Sequence, residues 1–435
     1  MGKNRGKIQD QNMELRIHEG NENEHEENYE EPPLDHEDEK LIKRALIDFK
    51  CKVEDAMHGN YLFGIPDTHP CHNQTTKEIE QLNEIKLWGV ALMPSKPHEG
   101  TDTLLLKFLK SKNYVVHEAL EKLRKTLAWR KEFKVDEILE ENLGPEFQKV
   151  AYLNTVDKEG RPVFYHVYGD LKDKPMQYLE KMRAEENSDK FLRWRVQQME
   201  KCIKELNFEP GGADSLIQVI DWKDFQGPHT KELRSVYRKC WTLLEEHYPE
   251  IIHQYIIVNV PLRYYVSHSF SSRLITHKPS NKIIFARPGK VTETLLRFIS
   301  PENLLVEYGG LKRINDNEFS SEHKVFELNL KAHASTHIEI PAPEVGVTIV
   351  WDVTVVEWDV TYKEEFIPED EGSYQVLLQD KEKKGGERLC VRNSYYINEG
   401  GMISIFIHNH INKCKKVFYR YKTKPTVPTY LLYKT

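Results

Sequence analysis

Near its carboxyl end the chain reads FIHNHINKC, which sets His408, His410 and Cys414 close together, three side chains able to ligate a transition metal. On a strand His408 and His410 point to the same side, but Cys414 lies beyond a turn and no defined ligand set results, so the pair reads as surface histidines and no metal is expected. Next comes KKVFYRYKTK, where Lys415, Lys416, Arg420, Lys422 and Lys424 crowd one predicted edge strand. Such charge either guards an open strand edge against aggregation or meets an anionic membrane surface. Patterns for covalent chemistry are missing. There is no G-x-S-x-G elbow, no H-E-x-x-H and no phosphate-binding G-x-x-x-x-G-K-[ST], and EPGGADS lacks the spacing of a dinucleotide fingerprint. Neither catalysis nor a cofactor is expected.

The elements that must position these groups follow from composition. At 435 residues the chain exceeds one typical core and suits two or three domains. Residues 1–40 hold 13 acidic and 5 basic side chains with few large apolar ones, which predicts a disordered acidic tail. The remainder is nearly neutral and lacks the basic stripe of a general nucleic-acid binder, so no nucleic-acid partner is expected. No apolar run approaches the roughly 20 residues of a membrane-spanning helix, so the protein is expected to be soluble. Cys51, Cys71, Cys202, Cys240, Cys390 and Cys414 form no C-x-x-C, and no secretory segment follows Met1; free thiols in the cytosol are expected. The start MGKNRG has Gly6 where an acylation signal needs Ser or Thr.

Residues 41–145 read as helical. DEKLIKRALIDFK predicts a helix followed by a loop to about Lys86. TDTLLLKFLKSKNY offers Thr101 as N-cap and Leu105, Phe108 and Leu109 as a buried stripe, and VHEALEKLRKTLAWRKEF puts Leu120, Leu123 and Leu127 on one face. Over residues 146–315 the strands KVAYLNTV, RPVFYHVYG, DSLIQVID, QYIIVNV and KIIFA alternate with helical stretches, the pattern of an α/β sheet covered by helices. Between the last two strands Pro261 can open a helix with Leu262, Val266 and Phe270 on one face, a βαβ crossover. Over residues 316–435 short alternating segments predict an antiparallel β-sandwich: HKVFELNL, HIEIPA, VTIVWDVTVVEWDVTY, SYQVLLQD, MISIFIHN and KVFYRYK. In the longest, Val347, Ile349, Trp351, Val353 and Val355 share a face, and then Val356, Trp358, Val360 and Tyr362 take the opposite phase. A bulge or corner must intervene.

The run from YPE through IIVNVP to SPENLLVEYGG resembles the lipid-exchange lobe of the CRAL-TRIO family. WDVTVVEWDVTYKEEFIPE and KKVFYRYKTKP resemble a GOLD (Golgi dynamics) domain. An acidic tail, a helical N-lobe, a CRAL-TRIO lobe and a terminal GOLD-like sandwich, in that order, resemble the patellins of plants over about Trp88 to Pro425.

That resemblance implies a non-catalytic protein that binds and transfers a phosphoinositide or another hydrophobic ligand. It implies a cytoplasmic, peripheral membrane protein acting in trafficking, at the cell plate of dividing cells, with trafficking proteins met through the GOLD domain. By the family pattern Lys112 and Lys282 hold the headgroup phosphate and Glu250 is the acidic member, while Asn113, Ile251 and Pro279 depart from the pattern. The intervening helix becomes a gate over a lipid cavity, with Leu262, Tyr265, Val266 and Phe270 facing the acyl chains. The positions with which the founding family member grips choline lipid through hydroxyl groups fall here on Leu153, Phe164, Leu216 and Gln218, of which only Gln218 is polar. The rival expectation is a lipid-free adaptor whose α/β lobe is a closed scaffold and whose sandwich acts through protein contacts.

Overall fold

The structure, a computed structural model, describes residues 36–59, 61–62, 85–94, 98–143, 151–167, 185–223, 231–261, 282–383 and 390–426. Helix α1 (His36–His58) buries Phe49, Val53, Ala56 and Met57, the i, i+4, i+7, i+8 stripe of one helical face. It therefore starts within the expected tail and runs on into residues expected as loop; the rest of the tail lies outside the described residues. A two-strand ribbon, β1 (Lys86–Leu87) with β2 (Val90–Ala91), precedes α2 (Thr101–Lys110) and α3 (Val116–Glu132). Thr101 is not the N-cap: Gly100 is, and the Thr101 hydroxyl donates to the Ala91 carbonyl at 2.8 Å, tying the helix to the ribbon.

The second unit is a five-stranded sheet in the order β3 (Ala151–Val156), β4 (Pro162–Val167), β5 (Leu216–Asp221), β6 (Ile252–Val258), β7 (Ile283–Phe285). β3 is antiparallel to β4 and the other neighbours run parallel. One face packs on α4 (Glu185–Ile203) and α5 (Lys231–His247) through Phe191, Trp194, Cys240 and Leu244. The other carries Val163, Tyr165, Ile217, Val219, Ile256 and Val258 against α6 (Val291–Leu295), Leu304 and Tyr308. Two covered faces explain why these strands read as nearly unbroken apolar runs. The crossover expected between β6 and β7 joins parallel neighbours, while residues 262–281 lie outside the described residues.

The Tyr-Gly-Gly stop has a steric reason. Gly309 adopts φ 88°, and a Cβ on Gly310 would sit 2.0 Å from the Leu304 carbonyl oxygen, so neither position accepts a side chain. Tyr308 donates its hydroxyl to Asp221 at 3.0 Å and pins the turn to the end of β5.

The third unit is a sandwich of two antiparallel sheets. One is ordered β13 (Cys390–Tyr396), β10 (Val347–Val355), β15 (Lys415–Pro425), β8 (Phe326–Leu330); the other β12 (Val376–Lys383), β11 (Val360–Pro368), β14 (Gly401–Asn409), β9 (Ser335–Ala342). The phase change in VTIVWDVTVVEWDVTY is a corner: the chain leaves β10 in one sheet, turns through Glu357 (φ 52°) and Asp359 (φ 150°), and enters β11 in the other. Apart from Val356, which turns to the outer face at the corner, both phases thus face the same core, where Trp351, Trp358, Tyr362 and Phe366 are buried. Glu364 lies fully buried among them, accepting hydrogen bonds from Trp351 Nε1, Tyr362 Oη and Asn393 Nδ2 at 2.9, 2.5 and 2.6 Å.

The outer face of the first sheet is not solvated either, because the segment after Leu311 lies across it. Asp352, fully buried there, is bound by Arg313, Arg392 and Arg420 at 2.8, 2.7 and 2.9 Å. Arg420 also donates to the Leu311 carbonyl at 2.6 Å and stacks over Phe319, while Leu311, Val356 and Phe418 form a small apolar cluster. The α/β lobe and the sandwich are thereby joined through a buried ionic knot.

Candidate functional site

The sheet face toward α4 and α5 brings the expected wall residues together. Leu153 pairs with Phe164, Phe164 with Gln218, Gln218 with Tyr255 and Tyr255 with Ile283, a single row across all five strands. Leu216 stands two residues from Gln218 on the same face. Phe164, Leu216 and Gln218 are buried and Leu153 is half-buried. The row is apolar but for the Tyr255 hydroxyl and Gln218, whose fully buried amide has no hydrogen-bond partner among the described residues at either Oε1 or Nε2. Such an orphan is costly in a folded core, and it singles out this position. Tyr255, not foreseen from the sequence, adds a second polar tip; burial drives its hydroxyl pKa up. The gate residues Leu262, Tyr265, Val266 and Phe270 lie outside the described residues.

Charged groups gather where β6 and β7 begin. Glu250, in the left-handed region at φ 55°, accepts an ion pair from Lys282 at 2.5 Å. Lys107, on α2, donates to the Glu250 carbonyl at 3.0 Å and pairs with Asp214 at 3.0 Å. Burial lowers the Lys107 pKa, opposed by Asp214 and Glu250. Lys107 was not picked out from the sequence, although a lysine on the same helical face as Leu104 and Phe108 was the available signal.

Lys112 occupies the turn between α2 and α3, shaped by Asn113 and Tyr114 at φ 50° and 62°. It lines a groove of ≈ 690 Å³ with His117, Lys122, Lys125 and the acidic Glu121 and Glu245. Burial, reinforced by Lys112, lowers the Lys122 pKa to about 8, and Lys122 donates to the Glu245 carbonyl at 3.1 Å. Glu250 acts on the charge of both Lys107 and Lys122, Lys282 on that of Lys107 and Lys112 on that of Lys122.

The basic cluster of the last strand requires correction. β15 is an interior strand between β10 and β8, not an edge. Arg420 is 1% and Lys415 3% exposed, the first in the ionic knot and the second donating to the Glu357 carbonyl, so neither can touch a membrane. Lys416 pairs with Glu327 at 2.8 Å, and Lys422 and Lys424 pair with Glu318 at 3.0 and 2.5 Å. His408 and His410 bond to the Ser335 and Thr361 hydroxyls at 2.9 and 2.8 Å, and no group of three or more metal-binding side chains occurs among the described residues. No helix among them is long and apolar enough to cross a membrane.

Comparison with known proteins follows the same division. Residues 146–310 match the CRAL/TRIO domain family, and residues 331–416 match the family described as Patellin-1-like, C-terminal GOLD domain. The chain is 43% identical to Patellin-4 of Arabidopsis thaliana over 354 residues, 80% of this chain and 64% of the relative. It is 38% identical to Patellin-6 of the same plant over 346 residues, 79% of this chain and 83% of the relative. It is 29% identical to Phosphatidylinositol transfer protein SFH5 of Cryptococcus neoformans over 224 residues, 46% of this chain and 72% of the relative. The chain thus spans somewhat less than two thirds of the length of Patellin-4.

Proposed function

The chain belongs to the patellin family, and on that premise we propose that it is a non-catalytic carrier that binds a phosphoinositide, or another hydrophobic ligand, in its CRAL-TRIO lobe. Its setting is the cytoplasmic face of membranes engaged in trafficking, the cell plate included. The observation that supports this most is the meeting of Lys107, Lys282 and Glu250 beside an apolar five-strand row. Lysine ammonium groups make short, charge-assisted bonds to phosphate. Acyl chains laid on apolar side chains gain roughly 0.8 kcal/mol per buried CH₂. Headgroup choice then rests with the lysines and affinity with the apolar wall.

The name of the SFH5 protein, a phosphatidylinositol transfer protein, points to an inositol lipid as ligand. Mass spectrometry of organic extracts from natively purified protein tests the proposal. Stoichiometric inositol phospholipid is the expected result. A clean blank would overturn it and favour a lipid-free adaptor that works through the sandwich.

A further inference from the structure

The two ends of the sandwich differ in what covers them. The end bearing residues 356–359 and 410–414 meets the α/β lobe: Lys413 pairs with Glu293 at 3.2 Å, and Lys290 with Glu357 at 3.6 Å. The far end is built by loops 343–346, 369–375 and 397–400, beside the last residues of β15, where Lys424 is paired with Glu318. They are tied into one surface, since Gly346 N–H donates to the Ile397 carbonyl at 2.9 Å, Glu369 N–H to the Gly400 carbonyl at 2.9 Å, and the Ser373 hydroxyl to Glu399 at 2.6 Å.

Every exposed large apolar side chain among described residues 326–426 sits at this far end or on the strands leaving it: Val345, Tyr374, Val376, Leu377 and Tyr396. Tyr374 is 91% and Leu377 57% exposed. Val376 and Leu377 begin β12, an edge strand paired among the described residues with β11 alone, and no lysine guards the stretch from Val376 to Gln379. Glu344, Glu369, Asp370, Glu371 and Glu399 surround them, and the three loops contain no lysine or arginine. None of these carboxylates forms an ion pair among the described residues.

This combination selects its occupant. An anionic bilayer is repelled by the carboxylates, and a second copy of the chain would bring the same carboxylates face to face. A basic partner meets neither obstacle. We propose that the far end of the sandwich docks an extended segment of another protein, which pairs with β12 and alternates basic with apolar side chains. Strand addition supplies main-chain hydrogen bonds, and the period of two sends apolar groups to the Leu377 face of β12 and basic groups to the other face, with Tyr374 on the loop just before the strand. The surface stands apart from lipid binding.

The test uses the full chain and a fluorescent peptide of alternating lysine and leucine, with an alternating glutamate and leucine peptide as control. Anisotropy should show salt-sensitive binding of the lysine peptide alone. Tyr374→Ser with Leu377→Ser should weaken it about ten-fold, the scale of losing an interface anchor. Glu369→Lys with Glu371→Lys should shift preference toward the glutamate peptide. Both pairs are exposed, and an unchanged melting temperature and unchanged lipid content confirm intact folding. Equal binding by wild type and variants, no binding by wild type, or self-association through this face that the serine variants abolish would each overturn the proposal.

Discussion

Lys282 Nζ lies 2.5 Å from Glu250 Oε2, in a pair that stays partly open to solvent. A partly exposed pair of this kind contributes only about 0 to 1 kcal/mol to stability, so its loss should cost the fold little.

Replacing Lys112 and Lys282 together by alanine should therefore leave the melting temperature nearly unchanged while weakening attachment to phosphoinositide vesicles. Each charge-assisted contact to phosphate is worth about 1.5 to 3 kcal/mol. Vesicle flotation reads the loss directly, and undiminished flotation of the double variant would remove these two lysines from the headgroup site.

Lys122 gives the same site a pH dependence. Burial, with Lys112 beside it, depresses its pKa to about 8 from the 10.5 of a free lysine. Its charge is present below about 8 and lost above. Because the unfolded chain binds this proton more tightly, this group favours folding increasingly as pH rises from about 8 toward 10.5. Vesicle binding should move the other way, declining between pH 7 and 9, and Lys122→Met should flatten that decline. A wild-type profile flat across the range would contradict this.

Asp352→Ala should be among the most damaging single changes in the sandwich. It leaves Arg313, Arg392 and Arg420 around a buried site without their shared carboxylate. Breaking a buried ionic group in this way costs about 3 to 5 kcal/mol. Denaturant unfolding should show it, and a loss below about 1 kcal/mol would mean that Asp316, which already pairs with Arg392 and Arg420, suffices to hold the cluster.

Gln218→Met should raise the stability of ligand-free protein by on the order of 1 kcal/mol, since it removes a buried amide neither end of which bonds to any group among the described residues. The apolar row around Gln218 also offers little to a choline headgroup, so transfer of labelled phosphatidylcholine between vesicles should be slower than that of phosphatidylinositol. Equal rates would show that this wall does not set selectivity.

Most strands of the α/β sheet and of the two sandwich sheets were legible because burial wrote itself into local patterns. The two-sided β5 and β6 appear as continuous apolar runs, and the opposite phases of β10 and β11 announced the corner at Glu357. Strand β13 escaped notice because CVRNSYY puts Asn393 among its inward side chains, a polar group explained only by Glu364 on another strand. The burial of Lys107 and of Arg420, the latter expected on an exposed basic strand, was hidden for a related reason: a buried cation is recognisable only once its distant partners, Asp214 and Asp352, are in place. Local sequence describes the face a residue should show, and long-range pairing decides whether it shows it.

The knot at Asp352 also has a mechanical meaning. It bolts the outer face of one sheet to the segment leaving the lobe, so the sandwich acts as a strut rather than a tethered bead. With nine residues in β10 at about 3.3 Å each, that strut is roughly 30 Å long. A carrier docked by its lobe would hold the acidic tip of the sandwich at a fixed stand-off, and the distance would be set by strand length instead of by diffusion.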